Sequence, residues 1–442
     1  MVKLKKLLFA SAAFLASGSL ALAQNAANTG PYLPPPPTGA IQSNDSFQDV
    51  VNSYPQAQSF YVTASQLGAY SQTLTGGNAD NAIVGGDFNQ NTWARGTTSA
   101  TINTTATYGP SDFFLWSGTS TNLVATQQTG AADILVSAGI TASARVTRSS
   151  TGVVQSCIAQ EVESSVATRL AGTTAEFSFY ALAGSGFSAA SSNLAVYIVT
   201  GTSTDEGSSK MAYGINAGGG GGSAWTGSAV LGGTSGYLIP ITTVMTRYGV
   251  AAPIPATAKE VGVAICWTPV GTSPSNDYVD LANIQLVANP ALTGIAGTAG
   301  VALNANDVRL KSFVRRQTQA EIAVQQRYVY AVSEPATAVG VGFSGNAVTT
   351  TTCNTSLAFP VIQRAAPTFT AFGTALSAST WKINYAATST TLATTFYATT
   401  TGNTPSAAFG TWTTSAANLV AGGSCFPVGQ NGGSVLVFSS EL

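Results

Sequence analysis

The feature that most limits how this chain can fold is the stretch Gly172 to Gly207, GTTAEFSFYALAGSGFSAASSNLAVYIVTGTSTDEG. Its first half sets Ala175, Phe177, Phe179 and Ala181 on one side and Glu176, Ser178, Tyr180 and Leu182 on the other. That is the period-2 pattern of a strand with one buried face, and no helix holds it. The second half alternates again through Leu194, Val196 and Ile198, after breaker residues at Gly184-Ser185-Gly186 and Ser191-Ser192-Asn193. Two strands joined by a long loop are expected.

The rest of the chain repeats this grammar. Its 442 residues are enough for two or three domains. With 46 Gly and 18 Pro spread between short β-branched runs, the sequence favours many short strands and an all-β fold. Only 8% of residues are charged, against roughly 25% in an average soluble domain. The 17 basic and 18 acidic residues nearly balance and form no basic cluster, so nucleic acid is not an expected partner. Histidine is absent, which removes imidazole catalysis and imidazole–metal chemistry together.

Residues 1–23 carry Lys3, Lys5 and Lys6, an apolar centre from Leu7 to Leu20, and Ala21-Leu22-Ala23 before Gln24. This is the form of a secretory signal peptide, leaving no stable membrane span after cleavage. The apolar run is short for an uncleaved anchor, which needs about 20 residues. Export bears on Cys157, Cys266, Cys353 and Cys425, which form no CxxC. An oxidising compartment would allow bridges Cys157–Cys266 and Cys353–Cys425, and buried free thiols are the alternative. Residues 24–79 read as a leader or arm containing the polyproline spacer Pro34 to Pro37.

Further strands are expected at Leu123–Thr126, Thr141–Thr147, Cys157–Val162, Thr246–Val250, Glu260–Trp267 and Tyr278–Val287, a set sufficient for a two-sheet sandwich. The loop Gly214 to Gly236 holds five successive glycines, Gly218 to Gly222, without the Lys-Ser/Thr of a phosphate loop. Residues 291–310 read as a linker. Thr318-Gln319-Ala320-Glu321 fits a capping box, so a short helix is expected from about Gln319 to Val329.

Several stretches resemble known proteins. The opening NAIVGGDFNQNTWARGT (Asn81 to Thr97), the central FSFYALAGSGFSAASSNLAVYIVTGTSTDEGS and Arg247 to Val287 resemble, in order, the carbohydrate-binding-module-like jelly-roll domain of many bacteriophage tail fibre and virion-associated proteins. The likeness covers residues 80–290. Asp112-Phe113 departs from it, since a basic residue usually follows that aspartate. EIAVQQRYVY, LAFPVIQRAAPTFTAFG and the terminal GGSVLVFSSEL are similar to the C-terminal domain of phage tail fibre proteins. Gln325 stands there for the usual Cys, and Val329 for a second Tyr. The resemblances imply a jelly-roll β-sandwich followed, over 311–442, by a smaller C-terminal β-sandwich entered by a short helix. They also imply a homotrimer, a virion location and contact with surface glycans or other virion proteins. A secreted lectin-like module of prophage origin is the alternative that the signal peptide raises.

Sugar would be held by exposed rings, for which Trp225, then Tyr197 and Tyr180, are the candidates. Trp267, Arg327 and Tyr328 are expected to serve packing, the last two anchoring the helix to the second sandwich. No cofactor is expected beyond a structural calcium, for which Asp87 and Asp280 stand near the positions used in such jelly rolls. Calcium takes roughly six to eight oxygen ligands, so two carboxylates do not define a site. The carboxylates Asp112, Glu161, Glu163, Glu176, Asp205, Glu206 and Asp277 read as surface or turn residues. No spacing demonstrates a glycosidase pair at roughly 5 to 9.5 Å, and catalysis is not expected.

Overall fold

The structure is a computed structural model. It describes two strands between residues 46 and 63 and, apart from short gaps, residues 81–441. The signal-peptide segment, the polyproline spacer and most of the glycine run lie outside the described residues. In the first 70 residues, Ser46–Val51 and Gln58–Thr63 pair antiparallel. The remainder of the chain is a separate compact unit.

That unit is all-β and antiparallel. A seven-stranded sheet runs Ala229–Leu231, Asn193–Gly201, Glu260–Trp267, Ser156–Val162, Phe114–Ser117 and Thr107–Tyr108, with Tyr237–Pro240 also paired to Asn193–Gly201. Against it lies a six-stranded sheet ordered Val301–Ala302, Thr246–Pro253, Thr174–Ala183, Tyr278–Ala288, Ser143–Arg148 and Leu123–Gln128. Phe177 and Phe179 from one sheet and Val196, Ile198, Val263 and Ile265 from the other meet in one core. Interdigitated inner faces of two sheets are what the alternation demanded.

The outer face of the six-stranded sheet is covered as well. Glu176, expected to face water, is fully buried, because residues 303–311 fold back over it. Its carboxylate accepts from Asn289 Nδ2 at 2.7 Å and the Lys311 amide at 2.9 Å. Arg247 stands at 3.4 Å. The segment read as a linker is thus packed structure: Val301–Ala302 extends the sheet, and Leu303 and Leu310 join Ala251 and Leu292 in an apolar cluster.

In the C-terminal third, Val329–Ser333, Ser434–Ser439 and Thr368–Gly373 form a three-stranded sheet. Beside it Ser344–Ala347, Thr352–Ala358, Ala407–Thr414, Ser389–Ala398, Trp381–Tyr385 and Ser424–Gly429 close into a six-stranded barrel. Closure satisfies every strand edge, which suits a segment rich in Thr and Gly with few charges to guard an edge. Trp381 and Trp412 pack inside it with ring centroids 5.6 Å apart.

The helix is shorter than expected, spanning Thr318–Gln326, because Val329 already belongs to a strand. Its capping box does not form. Gln317 is the N-cap without a side-chain bond, and Glu321 turns away to accept from the Gly85 amide at 2.6 Å and from Arg316 at 2.9 Å.

Candidate functional site

The three rings proposed for sugar stacking do not converge. Trp225 and Tyr197 lie in one apolar cluster with Phe114, Trp116 and Met211 over the outer face of the seven-stranded sheet, under the helix Ser208–Ile215. Trp225 is 3% exposed and donates its indole N–H to the Gly207 carbonyl at 3.1 Å. Gly201 and Gly262 provide the slot its ring fills. Tyr197 is 1% exposed, and its hydroxyl is held by Gln155 and the Thr234 carbonyl. Burial raises its pKa. Neither ring offers a free face, so neither stacks on a sugar. Tyr180 is half-buried on the other sheet.

The carboxylates are engaged by arginines. Asp87 binds Arg315 Nε at 2.9 Å and is 4% exposed. Asp280 binds Arg145 through both oxygens, at 2.8 and 2.7 Å, and is fully buried. The two share no partner, and among the described residues no group of three or more acidic or cysteine side chains is placed to hold a metal ion. Each carboxylate is ion-paired with an arginine of its own. Asp277 is sealed against Arg148, and Asp205 accepts from the Ser164 amide at 2.9 Å and Arg364 at 3.3 Å. Glu206 pairs with Lys210 at 2.7 Å. The four cysteines form two disulfides: Cys157–Cys266 crosses neighbouring strands of the seven-stranded sheet, and Cys353–Cys425 lies in the barrel.

Two polar groupings remain. The first is on the outer face of the six-stranded sheet, where Thr126, Arg145, Asp280 and Leu182 stand in one cross-strand row. Arg145 lies 3.8 Å over the Tyr278 ring and bridges Asp280 to Asp133 at 2.7 Å. Leu135 and Ala138 fold over Leu182, Met245 and Ala282, leaving Tyr180 and Tyr278 half-buried at the margin. Flat rings beside fixed charged groups can take a sugar face and its hydroxyls. Burial and the neighbouring Asp133 outweigh Arg145 and push Asp280 up to about 6, from an ordinary 3.8. A raised carboxyl stabilises the fold fully below its ordinary value and loses that contribution as pH rises through about 6. Asp280→Asn should therefore flatten the dependence of melting temperature on pH between 4 and 6, which is read by thermal melts in a buffer series.

The second grouping joins the sandwich to the C-terminal strands. Arg327 forms a two-pronged bond with Glu163 at 2.7 and 3.1 Å, and the Tyr328 hydroxyl donates to the same carboxylate at 2.9 Å. These residues anchor to the first sandwich, not the second as expected. Burial works against the Glu163 charge, but the Arg327 and Tyr328 bonds outweigh it and hold its pKa below the ordinary range. Arg364 donates to the Ser440 carbonyl at 3.0 Å, and Glu441 is ion-paired with buried Arg95. Arg95 also reaches the carbonyls of Gly109 and Ser111. No sequence signal pairs residues so far apart, although Arg95, Arg327, Tyr328, Arg364, Ser440 and Glu441 each lie in a stretch of the two resemblances.

No family model matches the chain, and no curated protein matches it. Among solved structures the chain is similar to the enzymatically active domain of bacteriophage CBA120 tailspike protein 4, at 13% identity and a TM-score of 0.28. That match covers 47% of this chain and 21% of the tailspike chain, so the chain spans about a fifth of the structure it matches. The expectation of a chain without catalysis is corrected on this finding, because the neighbour is described as enzymatically active.

Proposed function

We propose that the chain is a tail-fibre-like structural component of a phage or prophage virion whose sandwich contacts cell-surface glycans. One observation carries the reading. The stretches resembling tail fibre proteins, through Glu321, Arg327, Tyr328, Arg364 and Glu441, close onto Gly85, Glu163, Asp205 and Arg95, of which Gly85, Asp205 and Arg95 lie in stretches resembling the virion jelly roll. Two segments resembling parts of one assembly are thereby fastened together. The margin holding Tyr180, Tyr278 and Arg145 is the proposed glycan contact. A second reading, a secreted glycan-binding module of prophage origin, is favoured by the two disulfides, which form in oxidising compartments.

Peptide mass spectrometry of purified extracellular particles, including the N-terminal peptide, separates the two. Stoichiometric recovery in particles supports the virion component. Recovery only from medium or membrane, with a start at Gln24, moves the assignment to the secreted module. Incubating the pure protein with host polysaccharide and reading both retention and new reducing ends tests the glycan contact, and absence of both rejects it.

A further inference from the structure

Where the C-terminal residues meet the sandwich there is a cavity of about 20 Å³, lined in part by Tyr108, Asp112, Gln160, Glu161, Tyr328 and Glu441. It has room for about one water. Three of these side chains are carboxyls, and all three are nine-tenths buried or more. Their charges are not matched. Arg95 is ion-paired with Glu441 and lies 5.6 Å from the Tyr108 ring. On the neighbouring elements Arg327 is taken by Glu163, Arg316 by Glu321, and Arg364 by Asp205 and backbone carbonyls. Asp112 and Glu161 are left over. Both oxygens of Asp112 are buried without a close hydrogen-bond partner, the Gln325 amide and the more distant Arg95 being the groups that favour its charge, and Glu441 Oε1 is also unpartnered. Glu161 has the Tyr108 hydroxyl at 3.5 Å.

Two carboxylates buried with no cation of their own are costly unless they take up protons. A neutral carboxyl also gains an O–H, which suits a cavity lined by unpartnered acceptors. We propose that this junction is a proton-operated seat for Ser440 and Glu441: with Asp112 and Glu161 neutral, the two residues stay docked on the sandwich, and ionisation of the pair releases them. The direction agrees with the acidities. Burial, reinforced by the Glu441 charge, raises Asp112 well above the carboxylate range, and burial with the Glu260 charge does the same to Glu161. The nearby charge of Asp205 acts on Glu161 in the same sense, with Arg364 opposing. Raised carboxyls contribute their full stability below the ordinary range and lose it as pH rises through the raised values, so the seat loosens toward alkaline pH. The device is independent of what the sandwich binds.

The test is release of the Ser440 and Glu441 amide protons to deuterated solvent from the full chain at pH 6 and pH 9, normalised at each pH to an unstructured peptide of the same residues. The wild type should release them about tenfold faster or more at pH 9, the factor carried by one unit of pKa displacement. The variant Asp112→Asn with Glu161→Gln keeps the shape, cannot ionise, and should release slowly at both. Asp112→Asn alone should fall between. Equal release from the wild type at the two pH values overturns the proposal. An undiminished rise in the folded single or double variant overturns it too.

Discussion

Asp277→Ala should cost about 3 to 5 kcal/mol, the loss expected when one partner of a buried ion pair is removed and the other charge stays inside. Arg148 and Asp277 are both fully buried, with Nη2 2.6 Å and Nε 2.8 Å from the same carboxylate oxygen. The other guanidinium hydrogens go to the carbonyls of Ser150 and Gly152 at 3.0 Å and of Ser273 at 2.7 Å. The Ser188 hydroxyl donates to the carboxylate at 2.8 Å. One pair thus gathers three loops at one end of the sandwich. Without the carboxylate the guanidinium keeps its carbonyls but has no counter-charge, and solvent reaches it only if those loops open. The melting temperature should drop by about 10 °C. Replacing both partners, Arg148→Met with Asp277→Leu, should recover more than half of the loss, since the uncompensated charge is then gone. Urea melts of the three proteins measure this. An unchanged midpoint in Asp277→Ala would remove the pair from the stabilising set.

What could be read from sequence was whatever depends on neighbours along the chain. The strand at Glu260–Trp267 has the expected bounds, and the inner face Ala175, Phe177, Phe179, Ala181 is the buried one, because alternation is written locally. The fate of the opposite face was not local. Glu176 is covered by a segment that reaches it at Lys311, 135 residues away in sequence, through the run 291–302, whose Ala- and Gly-rich composition looks like any linker. Ion pairs between Glu163 and Arg327, 164 residues apart, are likewise invisible until the fold juxtaposes them. The capping box failed for the same reason: Glu321 has a stronger use in the Gly85 amide and Arg316 than in its own helix end. For aromatic residues the sequence names the ring and not its exposure, so a Trp in a glycine-rich loop looked like a binding platform.

That ring supplies the other large expectation. Trp225→Ala should destabilise the protein by about 3 to 5 kcal/mol, as truncation of a buried Trp does, and should leave glycan retention per folded molecule unchanged. The indole fills the space above Gly201 and Gly262, with Met211 beside it, and its N–H satisfies the Gly207 carbonyl at the start of the helix Ser208–Ile215. A methyl group on Gly262 would come within 2.4 Å of Met211 Sδ and 3.1 Å of the indole, so the sheet carries glycine there to let helix and ring approach. Truncation empties that slot and removes the indole's bond to the Gly207 carbonyl, which keeps only the Lys210 and Met211 amides of the helix. The adjoining loop is also tied here, since the Thr226 amide and hydroxyl both donate to Glu206. Loss of the ring should therefore expose the helix and this loop to hydrogen exchange together, ahead of the strands beneath. A variant with unaltered melting that no longer retained glycan would reverse the assignment and make Trp225 a contact residue. A lower melting temperature with retention intact leaves the Tyr180–Tyr278 margin as the place where sugar is to be sought.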